Sequence, residues 1–375
     1  MKRLSLLLFV FLFLPTIVDA EQLPRCKPSE VALDETVLAK IDGLAEEALA
    51  DEKVLLGKGC IVCVGRHGKI AFLKSYDDKK TDTVFDLASV TKPVATGTAI
   101  MLLAQQGKLN IDDAAALYLK EFDTPEKRTI TIRHLLTHVG GFLQGPGGDL
   151  SNAKEFKERL LTMEPKSKPG ESYVYSCASF IMLGEIVERV SGQNLNDFTR
   201  ENIYKPLGMN ETCFLPDEVL SQRAAITVAS KLGDRKPGQV NDFQAFALGG
   251  ISGNAGLFST ADDLALFAVM MLNQGESQTG KRIFDKNTVK NMTAPNTIPG
   301  GFRGLGWAMK HERDVHRPTK MSPSAYGHGG WTGNAFWIDP KYDVFTIFLS
   351  NKTNRAVYPL ASKIGDVVID SITDK

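Results

Sequence analysis

A serine and a lysine stand three residues apart at the start of an apolar stretch, as Ser89 and Lys92. Because residues i and i+3 share one face of a helix, the hydroxyl and the amine would lie side by side there. A serine at a helix N-terminus acts as a nucleophile when a neutral amine takes its proton, and its own backbone N–H then stabilises the resulting oxyanion. The pair therefore predicts a nucleophile together with its base.

The spacing by itself is weak, since roughly one or two Ser-x-x-Lys sequences arise by chance in a chain of this length. A second copy, Ser151 and Lys154, follows the glycine-rich residues 145–150. We interpret this copy as a solvated loop or helix start. For Ser89, the competing interpretation is an N-cap serine with a surface lysine nearby.

Two other stretches carry groups that handle protons or bind ligands. Tyr175, Ser176 and Cys177 follow a turn, where a phenol and a hydroxyl are able to move protons. His328 lies among the glycines of residues 327–330, ahead of the last predicted hairpin, and glycines let a ligand approach an edge strand closely. Either stretch alone also fits ordinary packing.

The motifs Ser-x-x-Lys, Tyr-Ser-x and His-x-Gly, in this order, resemble those of the serine beta-lactamase and penicillin-recognising superfamily. Within it the pattern is most similar to the class C branch, which also holds D-alanyl carboxypeptidases, D-amino peptidases and beta-lactamase-like esterases. The resemblance spans nearly the whole chain. It also rests on residues 87–92, 132–138, 206–209, 256–260, 304–307 and 337–340.

The resemblance implies the catalytic roles. Ser89 would be the acylated nucleophile, and Lys92 and Tyr175 would handle its proton. The backbone N–H groups of Ser89 and Trp331 would form the oxyanion hole. The implied protein is an exported serine hydrolase that acts through an acyl-enzyme, with no cofactor and no metal. The alternative is a penicillin-recognising sensor or binding protein without turnover.

Substrate-binding roles are implied for Cys177 and for His328, Gly329 and Gly330. Two of these positions depart from the family pattern. Cys177 replaces a common amide side chain, and a thiol is a weak donor and acceptor. His328 replaces a frequent lysine, so we expect its charge to depend on pH and to weaken carboxylate binding above about pH 6.5. Both departures favour small esters or D-amino-acid-containing substrates over beta-lactams.

The sequence leaves open whether Lys92 or Tyr175 is the base. A free lysine has a pKa near 10.4 and is protonated at neutral pH. Lys92 is therefore a base only if burial or a neighbouring positive charge lowers its pKa. Otherwise, the charge of Lys92 must favour the phenolate form of Tyr175.

Two rival hypotheses assign other chemistry. Cys177 would be the nucleophile of a thiol enzyme if His328 were its base. His134 and His138, four residues apart, would share a helix face and bind a metal, although the adjacent Glu of a zinc-protease motif is missing. We interpret these two histidines instead as a polar face and a helix-end cap.

Strand-like segments lie near both ends of the chain. Residues 59–72 and 334–349 each predict a hairpin. Helical spacing precedes the first hairpin at residues 37–49 and follows the second at 360–372. Cys60 and Cys63 would point to opposite faces of one strand, about 10 Å apart, too far to bridge each other or share a metal.

Helix signals dominate between the two ends. Thr131 would cap a helix that runs through Val139, Ser176 or Ser179 would start the next, and Ser259 would cap a third.

The predicted fold is α/β (α+β): an antiparallel sheet from the N- and C-terminal segments, flanked by the terminal helices, with an inserted helical lobe. We place the α/β lobe at about residues 27–86 and 240–375 and the helical lobe at about 87–239, with the active site in the cleft between them.

The first twenty residues have the order of a secretory signal: Lys2 and Arg3, an apolar run at 4–13, and the small residue Ala20. A membrane anchor is the competing interpretation, but Pro15 and the short run argue against it. We therefore expect cleavage after Ala20 and a periplasmic or secreted protein.

After that cleavage, 42 basic and 43 acidic residues remain. This balance gives no electrostatic reason to expect nucleic acid or an anionic membrane surface as a partner. We expect a small-molecule or peptidoglycan-like substrate, and the oligomeric state is not readable.

Overall fold

The computed structural model describes residues 22–55, 58–228, 235–312, 316–353 and 355–375. The predicted signal peptide lies outside the described residues. Among those that are described, no helix has the length and apolar character that crossing a bilayer requires.

Most of the strands belong to one antiparallel sheet. The strands of the described residues are β1 (Cys60–Arg66), β2 (Lys69–Tyr76), β3 (Phe85–Asp86), β4 (Phe258–Ser259), β5 (Asn296–Ile298), β6 (Gly301–Arg303), β7 (Ala308–His311), β8 (Tyr326–Gly330), β9 (Asn334–Asp339) and β10 (Val344–Ser350). Eight strands form the sheet in the order β2-β1-β10-β9-β8-β7-β6-β5, and β3 pairs with β4. The predicted antiparallel sheet with strands from both chain ends is therefore confirmed.

Helices pack on both faces of this sheet. The α-helices of the described residues are α1 (Glu35–Leu38), α2 (Lys40–Ala50), α3 (Thr98–Gln105), α4 (Ile132–Leu136), α5 (Ala153–Thr162), α6 (Cys177–Ser191), α7 (Leu195–Thr199), α8 (Lys205–Leu207), α9 (Glu218–Gln222), α10 (Phe243–Ala247), α11 (Ala261–Leu272), α12 (Lys286–Thr293) and α13 (Tyr358–Ser371). Both predicted hairpins and both terminal helical segments are present.

Alternation along the strands sends neighbouring side chains into two separate cores. In β1, Cys60 packs with residues of α1, α2 and α13, whereas Cys63 packs with α3, α6 and α11. Trp337 and Phe336 in β9 divide in the same way. The opposite orientation predicted for the two cysteines is confirmed, and both are free thiols.

Helix α4 ends earlier than predicted, so His134 and His138 do not share a helix. His138 has a φ of 61°, and its N–H and that of Val139 bond to the carbonyls of Leu135 and His134 at 3.3 and 2.9 Å. This pattern is a Schellman motif in which His138 takes the left-handed position that glycine usually fills. The predicted helix through Val139 is therefore wrong, and the two histidines do not share the helix face that the rival metal-binding hypothesis required.

Two smaller expectations also need correction. The cap of α11 is Thr260, which accepts a hydrogen bond from Asp263 N at 3.3 Å, because Ser259 is already paired with Phe85 in the β3–β4 ladder. Strand β8 is an inner strand and not an edge, but its pairing with β7 is confined to Ala308 and Gly327. Beyond that pair, His328 and Gly329 of β8 line a cavity.

Candidate active site

A cavity of about 910 Å³ brings together most of the residues predicted to act in catalysis or binding. Its lining includes, from that prediction, Ser89, Tyr175, Cys177, His328, Gly329 and Trp331. Lys92 lies buried beneath the cavity and reaches it through Ser89. Groups from sequence positions more than 200 residues apart therefore meet at one site.

The turn that carries Ser89 has an unusual backbone. Strand β3 passes into a 3-10 turn, Ala88–Val90, and then into a π-helical stretch, Lys92–Gly97, that continues as α3. Ala88 has a φ of 46°, in the left-handed region. Strain of this kind persists only where the surroundings enforce it, and π-helical turns often occur at functional sites.

The side chain of Lys92 is held by directed contacts on three sides. Its Nζ donates to Ser89 Oγ at 2.9 Å and to the carbonyl oxygen of Asn254 at 2.8 Å. It also approaches Cys177 Sγ at 3.7 Å and the Tyr175 ring centroid at 5.1 Å. The ammonium is thus fixed against the serine hydroxyl, and the capping role with a surface lysine is excluded by its burial.

The protonation of Lys92 follows from its neighbours. Burial acts to lower its pKa, but the negative charges that Cys177, Tyr175 and Asp242 carry when ionised outweigh burial, so the pKa is raised. Lys92 is therefore a cation in the resting site. The sequence analysis required a lowered pKa if Lys92 were to act as a free base, and this condition is not met.

His138 holds the segment that carries Tyr175. The amide of Val174 donates to the His138 carbonyl at 3.1 Å, and the amide of Ser176 donates to His138 Nδ1 at 3.0 Å. The imidazole stacks on the Tyr175 ring at a centroid distance of 4.5 Å. Burial, followed by the charges of Arg303 and Lys92, holds the pKa of His138 well below its ordinary value, so the ring stays a neutral acceptor.

His328 is neutral as well, which overturns the expectation of a pH-dependent charge. Its Nδ1 lies 2.7 Å from the Gly329 carbonyl oxygen and donates to it. Burial, together with the positive charges of Arg303 and Lys92, holds its pKa well below the ordinary value. Burial disfavours the charged imidazolium, and the neighbouring charges are positive, so both effects favour the neutral ring.

Arg303 supplies a positive charge that the sequence analysis did not assign. It lines the same cavity with its side chain almost fully buried, and its Nη1 donates to the Tyr173 hydroxyl at 3.1 Å. The only signal in the sequence was that Arg303 directly precedes residues 304–307, one of the segments on which the family resemblance rests. Other lining residues that the sequence did not assign include Gln144, Asp242, Phe243, Glu312, His316 and Arg355.

The end of β8 packs directly on the Ser89 turn. A Cβ on Gly330 would lie 2.5 Å from the carbonyl oxygen of Leu87, so only glycine fits there. Thr332 Oγ1 and Asn334 Nδ2 both donate to the Asp86 carbonyl oxygen at 2.7 Å. These contacts bring the turn at Trp331 next to the serine.

The rival assignments find no support in this geometry. Burial raises the pKa of Cys177, so its thiol stays protonated and weakly nucleophilic. His134 Nδ1 accepts the Thr131 amide in a capping box. No cluster of three metal-binding side chains occurs in the described part of the chain. Ser151 and Lys154 are exposed at the start of α5, as we interpreted them.

Comparison with known proteins identifies relatives of this chain. A family model described as Beta-lactamase matches residues 48–364. A protein of Escherichia coli, provisionally named a D-alanyl-D-alanine carboxypeptidase, is 35% identical in an alignment of 309 residues that covers 74% of this chain and 71% of that protein. N-acetylmuramyl-L-alanine amidase of Bacillus subtilis is 31% identical over 367 residues, covering 85% of this chain and 82% of that protein.

The solved structure of a penicillin-binding protein homologue from Caulobacter crescentus has the same fold. It matches with a TM-score of 0.75 at 20% identity and covers 90% of this chain and 98% of that one.

Proposed function

The chain belongs to the beta-lactamase family, and from this we propose that it is a serine hydrolase whose nucleophile is Ser89. The observation that carries the proposal is the buried cation of Lys92, whose Nζ lies 2.9 Å from Ser89 Oγ next to the cavity. A lysine is costly to bury, so a fold retains one beside a serine where its charge serves the chemistry.

In the acylation step, Ser89 Oγ attacks the substrate carbonyl carbon and its proton passes to the pair formed by Lys92 and Tyr175. The carbonyl oxygen becomes an oxyanion that the backbone N–H groups of Ser89 and Trp331 bind. The bond to the leaving group then breaks, and the leaving oxygen or nitrogen takes the proton from that pair. The acyl group remains on Ser89 as an ester.

Deacylation reverses these roles with water as the nucleophile. Water gives a proton to the pair formed by Lys92 and Tyr175 and attacks the ester carbon, and the same backbone N–H groups hold the second oxyanion. The bond to Ser89 Oγ breaks, the serine regains its proton, and the acid product leaves.

We propose an ester or a D-amino-acid peptide as substrate, of small-molecule or peptidoglycan-like type. The names of the Escherichia coli and Bacillus subtilis relatives support an amide substrate from the cell wall. Arg303 lines the cavity and would meet a substrate carboxylate, whereas Cys177 offers an amide only weak hydrogen bonds. Esters need fewer such bonds, and they remain the second half of the proposal.

We also propose that the protein is exported after loss of residues 1–20 and works as one catalytic unit with its cleft between two lobes. Mass measurement of the protein from culture fluid or periplasm tests the export, since the mature chain would begin at Glu21. A mass that still includes the first twenty residues would contradict it.

The nucleophile is tested by comparing Ser89→Ala with Cys177→Ala on a panel of a nitrophenyl ester, a D-alanyl dipeptide and a beta-lactam. We expect Ser89→Ala to abolish hydrolysis without loss of fold and Cys177→Ala to retain it. The reverse pattern would reject the assignment. A lasting adduct with no turnover of any substrate would instead indicate the sensor.

A further inference from the structure

Asp86 is a buried carboxylate that the proposed reaction does not use. It lies in β3, three residues before Ser89, and its side chain is almost fully buried. Oδ1 accepts the amide of Ala88 at 2.9 Å, and Oδ2 accepts the amide of Asn241 at 2.7 Å. The two oxygens thus join the nucleophile turn to a segment from a distant part of the sequence.

The bonds from the Ala88 and Asn241 amides hold two different walls of the cavity. Ala88 is the residue with the left-handed φ of 46°, and a hydrogen bond to its amide opposes relaxation of the turn. Asn241 begins the segment 241–244, which lines the cavity. Within it, Asp242 Oδ1 accepts Asn254 Nδ2 at 3.1 Å, and Asn254 in turn holds Lys92.

The backbone of Asp86 reaches the third wall. Its carbonyl oxygen accepts Thr332 Oγ1 and Asn334 Nδ2, both at 2.7 Å. These donors flank the turn that follows Trp331. One residue is therefore bonded to the serine turn, to the segment at 241 and to the turn beside the proposed oxyanion donor.

We propose that Asp86 is a positioning residue that sets Ser89 Oγ and the two oxyanion donors in register. The inference rests on the proposed function, because it concerns how that site is held. An ionised carboxylate suits this role since it accepts from two amides at once, whereas a neutral amide side chain presents one accepting oxygen and one NH2 group that only donates. Charged acceptors also make stronger hydrogen bonds to backbone N–H groups.

The surroundings of Asp86 are consistent with a carboxylate that ionises near neutral pH. Burial raises its pKa to about 6, the amides of Asn241 and Ala88 act against this, Asp242 raises it further and Arg235 lowers it. At pH 8 the side chain is ionised and accepts both amides.

The test is the rate at which a fluorophosphonate labels Ser89 at pH 8 in the full chain, with kcat and KM for a nitrophenyl ester. Asp86→Asn places an NH2 group against a backbone N–H. We expect a labelling rate and kcat about 10²-fold lower, as for a small displacement of a catalytic group. KM should change little, and labelling should still reach one per chain.

The matched control is Asp263→Asn. Asp263 is also buried and accepts the amide of Glu211 at 2.9 Å and Thr212 Oγ1 at 2.7 Å, but it does not line the cavity. We expect this variant to keep the wild-type labelling rate. Its change in Tm should be comparable to that of Asp86→Asn.

A purely structural role predicts something else for Asp86→Asn: fewer labelled sites in proportion to lost folded protein, with an unchanged rate on the remainder. That result, or an unchanged rate in a fully folded variant, would overturn the proposal. If Asp86→Asn does not fold, Thr332→Val decides, because it leaves the Asp86 carboxylate intact and removes the two hydrogen bonds of Thr332 Oγ1, one to the Asp86 carbonyl oxygen and one from Asn334 Nδ2. It should slow labelling of the folded protein. An unchanged rate there would also overturn it. Loss of hydrolysis in Ser89→Ala would leave the proposed function standing in either case.

Discussion

Lys92 combines full burial with a positive charge, two properties that rarely coexist in a protein core. Its contacts explain how the charge is tolerated, because a hydroxyl, a carbonyl and a nearby thiol surround Nζ. None of these three partners is a carboxylate, so hydrogen bonds hold the ammonium. Under the proposed function, the reaction accounts for a lysine at this position.

Replacing this lysine should separate activity from stability. We expect Lys92→Met to lower kcat/KM for an ester by about 10²- to 10⁴-fold, since the cation that supports proton transfer is lost. The Tm should change little, because an apolar side chain of similar length fills the same buried space. Steady-state kinetics and a thermal melt check both.

A second buried lysine gives the control for that experiment. Lys127 lies away from the cavity, where its Nζ approaches the Leu161 carbonyl at 3.5 Å and a Glu164 carboxylate oxygen at 3.7 Å. Lys127→Met should leave kcat/KM unchanged. Equal losses in the two variants would mean that Lys92 acts on the fold rather than on the reaction.

The identity of residue 177 should set the preference between esters and amides. We expect Cys177→Asn to raise kcat/KM for a D-alanyl dipeptide relative to a nitrophenyl ester, because an amide side chain offers two donors and an acceptor to the substrate. Cys177→Ala, which offers neither, should shift the ratio the other way. A ratio that is the same in both variants would contradict a binding role for this position.

Residue-scale prediction from the sequence succeeds where chemistry is local and fails where it depends on the fold. Ser89 and Lys92 are three residues apart, so their meeting follows from helix geometry. Arg303 reaches the site only because β6 lies two strands from β8 in the sheet, and no spacing in the sequence encodes that. The neutral state of His328 likewise depends on burial and on the charge of Arg303.

At the scale of elements, the contact between α6 and residues 252–254 holds the site from below. A Cβ on Gly253 would overlap the carbonyl oxygen of Phe180 in α6. The Gly253 carbonyl accepts Thr96 Oγ1 at 2.7 Å, and the next residue, Asn254, accepts Lys92 Nζ. The glycine therefore lets one segment sit between α6 and the helix that carries Lys92.

Adding a methyl group at this contact should displace the lysine partner. We expect Gly253→Ala to destabilise the protein by about 1–3 kcal/mol through overpacking and to lower kcat by about 10²-fold as Asn254 moves. Urea unfolding and ester kinetics measure the two effects. Gly43→Ala is the same change on an open face of α2, where nothing lies near the added Cβ, and it should stabilise by about 0.5–1 kcal/mol. Equal effects of the two substitutions would refute the packing argument.

Elements were predictable wherever a short-range pattern determines them. Both hairpins follow from turn residues between alternating apolar runs, and Ser176 and Gly192 mark the two ends of α6 as capping rules require. The end of α4 was missed because His138 fills a position where the expected signal is glycine. The inner position of β8 depends on pairing with β7, which no local pattern specifies.

At the scale of the whole molecule, buried carboxylates link stability to pH. Burial raises the pKa of Asp263 to about 7, against the hydrogen bonds from Thr212 and the Glu211 amide. An unfolded Asp has a pKa near 3.9. Between about pH 4 and 7 the folded protein therefore binds a proton that the unfolded chain does not, so this residue adds stability as the pH falls and costs stability above pH 7.

Replacing Asp263 by asparagine should remove this dependence of the free energy of unfolding on pH. The free energy of unfolding of Asp263→Asn, relative to wild type, should be more favourable at pH 8 than at pH 5 by a few kcal/mol, since each pKa unit corresponds to about 1.4 kcal/mol. Urea unfolding at the two pH values checks it. The same difference at both pH values would show that Asp263 has no raised pKa.

The fold as a whole converts distance in sequence into proximity at one cavity. Strands from both chain ends build one sheet, and β3, α6 and the end of β8 meet beside it. The central claim is that Ser89 becomes covalently acylated there. The most direct measurement is peptide mass spectrometry after a slow ester or a beta-lactam is quenched on the enzyme. We predict an acyl adduct on the peptide that contains Ser89. An adduct on Cys177, or turnover with no covalent adduct at any point in the time course, would contradict the account.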